Sequence, residues 1–446
     1  MEKNNTCPKP KPERDSLSKE ELQCRVTQLE AHVAQLKNII KKQHEDKTRT
    51  TPSKRKQREF DFTKCSKRHV LLKILYVGWD YHGFAVQDEI PKTIESALFD
   101  ALNKTRLIEN RETSNYHRCG RTDKGVSAFS QVISIDLRSN LSEGPGVIVP
   151  EGHNVSNKKG NGKEEIQYMK ILNKVLPPEI RVLAWSPVEP DFSARFDCKE
   201  RTYKYFFPRG DMDIEIMRVA GQKLVGTHDF RNLCKMDVGN GVVTFMRRIM
   251  SVNIEEEDPS PTRLDGYRMC TLTVVGQAFL WHQIRCIVAV LALIGQGKEK
   301  AEVVDELLDV ENNPRKPQYT MALELPLNLY ECQYEDVTWH YDHISHGDTL
   351  KHLQNLWATH AIKTTMIKNM LDDLAKVPVA LKDGTELEPV TVKCQSDCLL
   401  PGNKPRTYQP LLTRHTCESL EERIEYYAKR RKLNTSSTPE TIEDKT

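Results

Sequence analysis

One carboxylate in residues 115–130, Asp123, lies in a basic turn bracketed by glycines. The run reads Asn-Tyr-His-Arg-Cys-Gly-Arg-Thr-Asp-Lys-Gly-Val-Ser-Ala-Phe-Ser. Gly120 and Gly125 permit the tight or left-handed backbone that a protruding loop needs. An ionised carboxylate in such a loop can act as a nucleophile. The pattern therefore indicates a reactive loop, and an ordinary Asp-Lys-Gly surface turn is the alternative interpretation.

Three cations flank this carboxylate, namely Arg118, Arg121 and Lys124. Nearby positive charge favours the ionised form of a carboxyl group, so we expect the pKa of Asp123 to be low. The same cations would attract a phosphate backbone. Alternating apolar residues over 131–137 predict a strand that anchors one end of the loop.

A longer pattern surrounds these residues. Residues 119–128, Cys-Gly-Arg-Thr-Asp-Lys-Gly-Val-Ser-Ala, resemble the catalytic motif of the TruA family of tRNA pseudouridine synthases. Two further segments resemble that family in the expected order: Asp-Phe-Ser-Ala-Arg-Phe-Asp-Cys-Lys-Glu-Arg-Thr-Tyr-Lys-Tyr at 191–205 and Gly-Gln-Ala-Phe-Leu-Trp-His-Gln-Ile-Arg at 276–285. The resemblance spans about residues 68–335. The motif sequence is most similar to that of the eukaryotic enzymes acting at positions 38 and 39 of tRNA.

The resemblance implies a role for each site residue. Asp123 is the nucleophile, toward the uracil base or the sugar C1′. Tyr203 stacks on the extruded base and Arg121 helps to hold it out. Arg285 lies against the carboxylate and keeps its pKa low. From the residues alone, Tyr203 is equally typical of a strand core, Arg121 of a phosphate contact, and Arg285 of a helix arginine that reaches solvent.

The implied reaction breaks a carbon–nitrogen glycosidic bond and rejoins the same uracil through carbon without redox change. We therefore expect no cofactor. A glycosidase would need two carboxyl groups, whereas the motif offers one acid among cations. His282, one turn before Arg285 on the predicted helix, is interpreted as a neighbour rather than a catalyst.

Composition bounds the class of protein. The chain has 446 residues, of which 38% are hydrophobic and 29% charged, which is typical of a soluble protein of two or three domains. The formal net charge is only +3, so a nucleic-acid footprint must come from local clusters of cations. The apolar run 287–294 is far short of the roughly 18 residues of a membrane span, so we expect an intracellular protein without a membrane partner.

Twelve cysteines without a compact framework indicate reduced thiols. One candidate set of zinc ligands is Cys394, Cys398, His415 and Cys417. The spacing of these residues matches no common structural zinc site. We predict no metal.

Periodicity predicts an α+β fold, with strands near 69–77, 131–137, 180–188, 202–207, 247–255 and 267–275. Thr93 is the predicted N-cap of a helix, a long helix is predicted from Phe279 to Gly295, and a further helix is predicted at 352–374. Strands and helices alternate in two strand-led halves, residues 67–189 and 190–335, with a Gly-, Ser- and Asn-rich insert at 139–165 that we expect to be disordered. The resemblance implies two ferredoxin-like (RRM-like) halves that form one continuous, mainly antiparallel sheet with a central active-site cleft. Residues 336–433 form a partly helical C-terminal extension.

The termini suggest how the protein assembles and where it acts. The N-terminal region, 1–66, holds a short a/d heptad seam at 17–43, which predicts a coiled-coil helix and a homodimer; a helix laid against the main body is the alternative. The basic linker 47–58 could be a nuclear-import signal, an RNA-contacting arm or a solvated tether. We expect a nuclear location, with a cytoplasmic one as the alternative, and a disordered tail at 434–446.

Together these features predict a stand-alone tRNA pseudouridine synthase that recognises the anticodon stem-loop by shape and phosphate contacts. Two other interpretations stay open. The enzyme could modify other tRNA positions or small nuclear RNA, or the chain could be a non-catalytic protein that binds or folds RNA.

Overall fold

The computed structural model describes most of the chain after residue 59. Its described residues are 60–87, 92–150, 164–257, 267–374, 376–377, 399–402 and 407–435. Contacts divide the chain into two units, residues 1–60 and 61–446, and every helix and strand given below belongs to the second. The predicted coiled coil (17–43), the basic linker (47–58) and residues 436–446 of the predicted tail lie outside the described residues.

One sheet organises this part of the chain. Its strands are β1 Ser66–Tyr76, β2 His117–Arg118, β3 Ser127–Ser139, β4 Val147–Ile148, β5 Ile180–Pro187, β6 Glu200–Pro208, β7 Gly226–Asp229, β8 Met246–Glu256, β9 Met269–Gly276 and β10 Leu327–Gln333. Their order is β4-β1-β3-β10-β6-β9-β8-β7, with β2 paired to β3 and β5 paired to β1. Only the β3–β10 pairing is parallel among the described strands. The predicted α+β class with a large, mainly antiparallel sheet is confirmed.

Seven α-helices accompany the sheet in the described ranges. They are α1 Ile94–Lys104, α2 Tyr168–Asn173, α3 Ile214–Gln222, α4 Gln283–Gly295, α5 Val303–Leu308, α6 His343–Leu374 and α7 Leu420–Thr435. The predicted N-cap of α1 is confirmed, since the Thr93 hydroxyl accepts a hydrogen bond from the Ser96 amide at 3.2 Å. Helix α4 ends at Gly295 as predicted but begins four residues later than Phe279, because His282 adopts a left-handed φ of 62°.

Two hydrophobic cores lie on this framework. The first joins β1, β3 and β5 to α1 and α2, and the second joins β6, β8 and β9 to α3, α4 and α5. Apolar side chains repeat at helical spacing along α1 and α3, which explains why each helix buries one face. Helix α4 instead buries all of its residues, and it is therefore the central helix of the second core.

The two halves meet where β3 runs beside β10. Ser127 pairs with Asn328, and Ala128 pairs with Leu329, in the only parallel register of the described sheet. The Asn328 side chain adds a bond, since its Oδ1 accepts from the Phe129 amide at 2.9 Å. This short junction makes the sheet continuous and places the start of β3 beside the second half.

The structure differs from expectation at the predicted insert. Residues 140–150 form turns and strand β4, which pairs with β1 in the register Lys67↔Ile148. The Glu165 carboxylate accepts from the Ser139 hydroxyl at 2.8 Å and lies 3.1 Å from Nη1 of buried Arg68. This buried polar network supplies order that apolar content alone did not predict. Residues 151–163 lie outside the described residues.

The C-terminal extension contributes one long helix and three buried leucines. Helix α6 covers the predicted helix at 352–374 and begins nine residues before it. Beyond it, Leu399, Leu411 and Leu420 are buried against the second core. None of the helices in the described part of the chain combines the length and apolar character needed to cross a membrane.

A buried carboxylate connects α1 to the start of β2. Glu95, whose side chain is 0% exposed, accepts hydrogen bonds from the Tyr116 hydroxyl at 2.7 Å and from Arg118 Nη1 at 2.5 Å. It also accepts from the Val86 amide at 2.8 Å. Burial raises the pKa of Glu95, but these hydrogen bonds outweigh it, and the net shift is downward.

We expect Glu95→Gln to lower the free energy of unfolding by about 2 kcal/mol at neutral pH, because it leaves the partly exposed Arg118 without its counter-ion. The pKa of Glu95 is lower in the folded state, so its stabilisation is present above the usual value of 4.5 and is lost as the pH falls through the folded value. The free energies of unfolding of wild type and variant should therefore converge as the pH is lowered from 7 to about 3, roughly one unit below the ordinary carboxyl range. Urea unfolding at each pH measures them.

The matched control is Glu335→Gln, which removes an exposed carboxylate that pairs with Lys199 at 3.1 Å. Its effect should stay within about 0.5 kcal/mol. Equal stability of Glu95→Gln and wild type at neutral pH would contradict the assigned role of Glu95.

Candidate active site

Asp123 occupies the turn between β2 and β3. Gly125 has the predicted left-handed backbone, with φ of 77°, whereas Gly120 is not among the glycines with positive φ. The Asp123 side chain is 24% exposed, and its Oδ1 accepts a hydrogen bond from the Trp281 indole nitrogen at 3.1 Å. The carboxylate is thus half-buried and held in one orientation, yet it keeps a solvent-facing edge.

The segment 78–87, which follows β1, supports this loop. The Phe84 amide donates to the Thr122 carbonyl at 3.1 Å, and the Gly125 amide donates to the Tyr81 carbonyl at 3.0 Å. Gly83 has φ of 96°, and a Cβ there would lie 3.0 Å from the Thr122 carbonyl oxygen. A glycine is therefore required at this close approach of the two backbones.

Arg285 approaches Asp123 from α4, the central helix of the second core. Its Nη1 lies 4.0 Å from Asp123 Oδ2, whereas its Nη2 lies 2.8 Å from Glu324 Oε2. Its Nε donates to the Ala322 carbonyl at 2.7 Å. The buried guanidinium is therefore fixed mainly by Glu324 and the backbone, and it faces the Asp123 carboxylate at longer range.

The expectation that the pKa of Asp123 is low is wrong. Burial raises the pKa of Asp123, and the Glu324 charge raises it further. The Arg285 charge, the Trp281 hydrogen bond and the Lys235 charge lower it, but they do not offset burial. The sequence-adjacent cations that prompted the expectation are not the ones that face the carboxyl group.

His282 is a further neighbour of the carboxylate. Its Nε2 lies 3.4 Å from Asp123 Oδ2. Burial and the charges of Arg285, Lys235 and Lys316 lower the pKa of His282 to about 4. The ring is therefore neutral near pH 7, where the contact is not an ion pair.

Tyr203 lies on β6 beneath the Asp123 loop. Its ring meets Phe279 edge-on, with centroids 5.2 Å apart. Its hydroxyl lies 4.0 Å from the position that a Cβ on Gly120 would occupy. Burial raises the pKa of Tyr203, so the hydroxyl stays protonated. The half-buried ring is therefore held against the loop by its aromatic neighbour.

Arg121 lies on the exposed side of the same loop. Partial burial and the charges of Arg118 and Arg195 lower its pKa, which indicates three cations that share one region. Arg195 also lies over the ring of Phe196, with 5.2 Å to the centroid, and this ring is 74% exposed. Cations and an open aromatic face are the side chains that favour phosphate and base contacts.

The structure therefore brings Asp123 and Arg285 together, with Tyr203 under the loop and Arg121 on its outer side. Sequence reasoning missed the contributions of Trp281 and Glu324. Trp281 lies inside the quoted motif at 276–285, so its proximity to the motif arginine was a usable signal. Glu324 lies outside every quoted motif, and no local pattern distinguishes it from a surface acid.

This arrangement suits nucleophilic chemistry. An indole N–H fixes one oxygen of Asp123, and the other faces a guanidinium and a neutral imidazole. A partly desolvated carboxylate of this kind is a better nucleophile than a fully hydrated one, and the donors around it stabilise charge without transferring a proton.

Comparisons with known proteins show the family of this chain. The family model described as tRNA pseudouridine synthase matches residues 220–335. A human tRNA pseudouridine(38/39) synthase is 50% identical over 93% of this chain and 88% of its own length. The Saccharomyces cerevisiae protein of the same name is 39% identical over 72% of each chain, and a Methanosarcina mazei tRNA pseudouridine synthase A is 33% identical over 62% of this chain and 88% of its own. By its sequence similarity to these relatives, this chain belongs to the TruA-type family of tRNA pseudouridine synthases.

Proposed function

We propose that this protein isomerises uridine to pseudouridine in the anticodon arm of tRNA, at positions 38 and 39, with Asp123 as nucleophile. The observation that carries the proposal is the half-buried Asp123 carboxylate, which accepts from Trp281 and faces Arg285. The names of the human and yeast relatives support the two target positions.

The proposed reaction needs one nucleophile and a bound RNA. The Asp123 carboxylate attacks the uracil ring or the sugar C1′, and the bond between N1 and C1′ breaks. The uracil then turns, a bond between C5 and C1′ forms, and the bond to Asp123 breaks. The proton on C5 is lost and N1 takes up a proton, so the product is an isomer of the substrate. Because no electrons are gained or lost overall, no cofactor takes part.

A uridine in a stacked arm must first be extruded, at a cost of a few kcal/mol. In this proposal the Tyr203 ring stacks against the extruded base and Arg121 helps to hold it out. The cations Arg118 and Arg195 beside Arg121 attract the phosphate backbone, which binds tRNA without reading its sequence.

Two alternatives differ in what they require. Other tRNA positions or small nuclear RNA would use the same chemistry on a different substrate. A non-catalytic RNA-binding or RNA-folding protein would need the cations but not a held carboxylate. The contacts of Asp123 favour an enzyme over the binding protein.

We also propose the finer architecture that the resemblance implies. The two halves of the sheet are ferredoxin-like and enclose a central cleft that receives the anticodon stem-loop. The chain forms a homodimer through the coiled coil at 17–43. It acts in the nucleus, with the basic linker 47–58 as its import signal.

Asp123→Asn should abolish pseudouridine formation while leaving tRNA binding within about threefold of wild type, because the change removes the nucleophile but keeps the shape of the side chain. The measurement is site-resolved pseudouridine mapping on unmodified tRNA transcripts with no added cofactor. Asp100→Asn, on the exposed face of α1, is the matched control and should retain activity.

Signal at anticodon-arm uridines with wild type and control, and none with Asp123→Asn, is the expected outcome. Product with Asp123→Asn would remove the proposed nucleophile. Wild-type signal confined to other tRNA positions would keep the chemistry and overturn the assigned target. Intact tRNA binding with no product from wild-type protein would favour the binding-protein alternative.

Trp281→Phe and Glu324→Gln should move the acid limb of the kcat/KM profile in opposite directions. Losing the indole donor destabilises the Asp123 carboxylate, so its pKa rises and the limb moves to higher pH, with activity at neutral pH about 10- to 100-fold lower. Losing the Glu324 charge lowers the pKa of Asp123 and leaves Arg285 free to turn toward it, so the limb moves to lower pH.

The profile should be recorded with the Glu335→Gln control, whose exposed carboxylate lies in an ion pair with Lys199 and not with Asp123. A general loss of folding would reduce activity at every pH without moving the limb. Shifts of the same sign for both variants would show that the two side chains do not act through the Asp123 charge.

Deletion of residues 17–43 should reduce the mass measured by light scattering from that of a dimer toward that of a monomer, because the heptad seam is removed. A matched variant replaces Leu29 and Leu36 of the seam with lysine in the full chain and should behave in the same way. An unchanged mass in both would contradict the coiled-coil assignment.

A further inference from the structure

Three cysteine thiols that the proposed reaction does not use converge in the first core. Cys119 precedes the Asp123 loop, Cys198 lies between β5 and β6, and Cys332 lies on β10. All three are buried, and their sulfur atoms lie within 4.8 Å of one another. Because they are far apart in sequence, no ligand spacing could have predicted the group.

The spacing of the sulfur atoms suits a bound ion. Three bonds of about 2.3 Å to a central zinc place the sulfur atoms roughly 3.8–4.0 Å apart. The observed upper limit of 4.8 Å therefore requires side-chain movements of less than about 1 Å. Thiolates are soft ligands that select zinc or monovalent copper over magnesium and calcium.

A buried cation lies beside these thiols. The guanidinium of Arg201 donates to the backbone carbonyls of Gln277, Cys119 and Arg195, at 3.2 Å for Cys119 and 2.9 Å for Arg195. The positive charge of Arg201 is therefore held beside the backbone of Cys119.

We propose that Cys119, Cys198 and Cys332 bind one thiophilic metal ion, with Zn²⁺ as the preferred occupant. Three thiolate charges are balanced by one divalent ion together with the Arg201 guanidinium, whereas a monovalent ion leaves one charge uncompensated. Binding forms metal–sulfur bonds and releases thiol protons to solvent, so no oxidant or reductant is needed. The proposal departs from our prediction of no metal, which considered only cysteines that are close in sequence.

The ion would act as a structural clip. It would join the residues that lead into the Asp123 loop to the segment between the halves and to β10. The proposed isomerisation needs no metal, so the ion would not touch substrate. Its effects should therefore appear in metal content and thermal stability, whatever RNA the protein modifies.

The test is metal analysis of the full chain purified without chelators. Wild type and the control Cys270→Ser, a buried strand thiol outside the group, should each carry about one zinc per chain. Cys332→Ser should carry at least about tenfold less. Replacing zinc with Co²⁺ should give thiolate-to-cobalt charge-transfer absorption in wild type and Cys270→Ser but not in Cys332→Ser.

A chelator should lower the melting temperature of wild type and of Cys270→Ser but leave that of Cys332→Ser unchanged. If Cys332→Ser does not fold, Cys198→Ser replaces it in each measurement. The metal content of wild-type protein tests the proposal in either case. Wild-type protein that takes up neither Zn²⁺ nor Cu(I), equal metal in wild type and Cys332→Ser, or a disulfide that joins two of the three cysteines in metal-free protein would each overturn the proposal.

Discussion

The continuity of the sheet across its single parallel junction is the constraint on which the rest of the described structure depends. Two residue pairs of β3 and β10 make the sheet continuous between the halves, and the Asn328 side chain reinforces them. Each half is centred on one hydrophobic core, and this pairing aligns the two. Because strands pair in a fixed register, the junction also fixes what lies just before each strand.

The site is built from residues that lie just before β3 and β10. Asp123 comes four residues before β3, and Glu324 comes three residues before β10, so the junction holds the two carboxylates on either side of Arg285. Arg285 comes from the fully buried α4, which leaves its guanidinium little freedom. The protonation of Asp123 is thus set by groups from both halves, together with the burial that their contact creates.

Periodicity and local capping were sufficient to predict most strands, the start of α1 and the end of α4, because these depend on neighbours in sequence. Motif resemblance was sufficient to select Asp123 and Arg285. The direction of the Asp123 pKa was not predictable, since burial and the Glu324 charge arise only when distant segments meet. Order at residues 140–150 was missed for the same reason, because the Glu165 network is tertiary.

The burial of Leu399, Leu411 and Leu420 in the second core has a consequence for how this family is divided into modules. The segment that the family model matches, residues 220–335, cannot be transferred alone to another protein. Isolating it would expose apolar side chains of the helices that carry the site. The unit that packs as one is therefore longer than the segment that the family model matches.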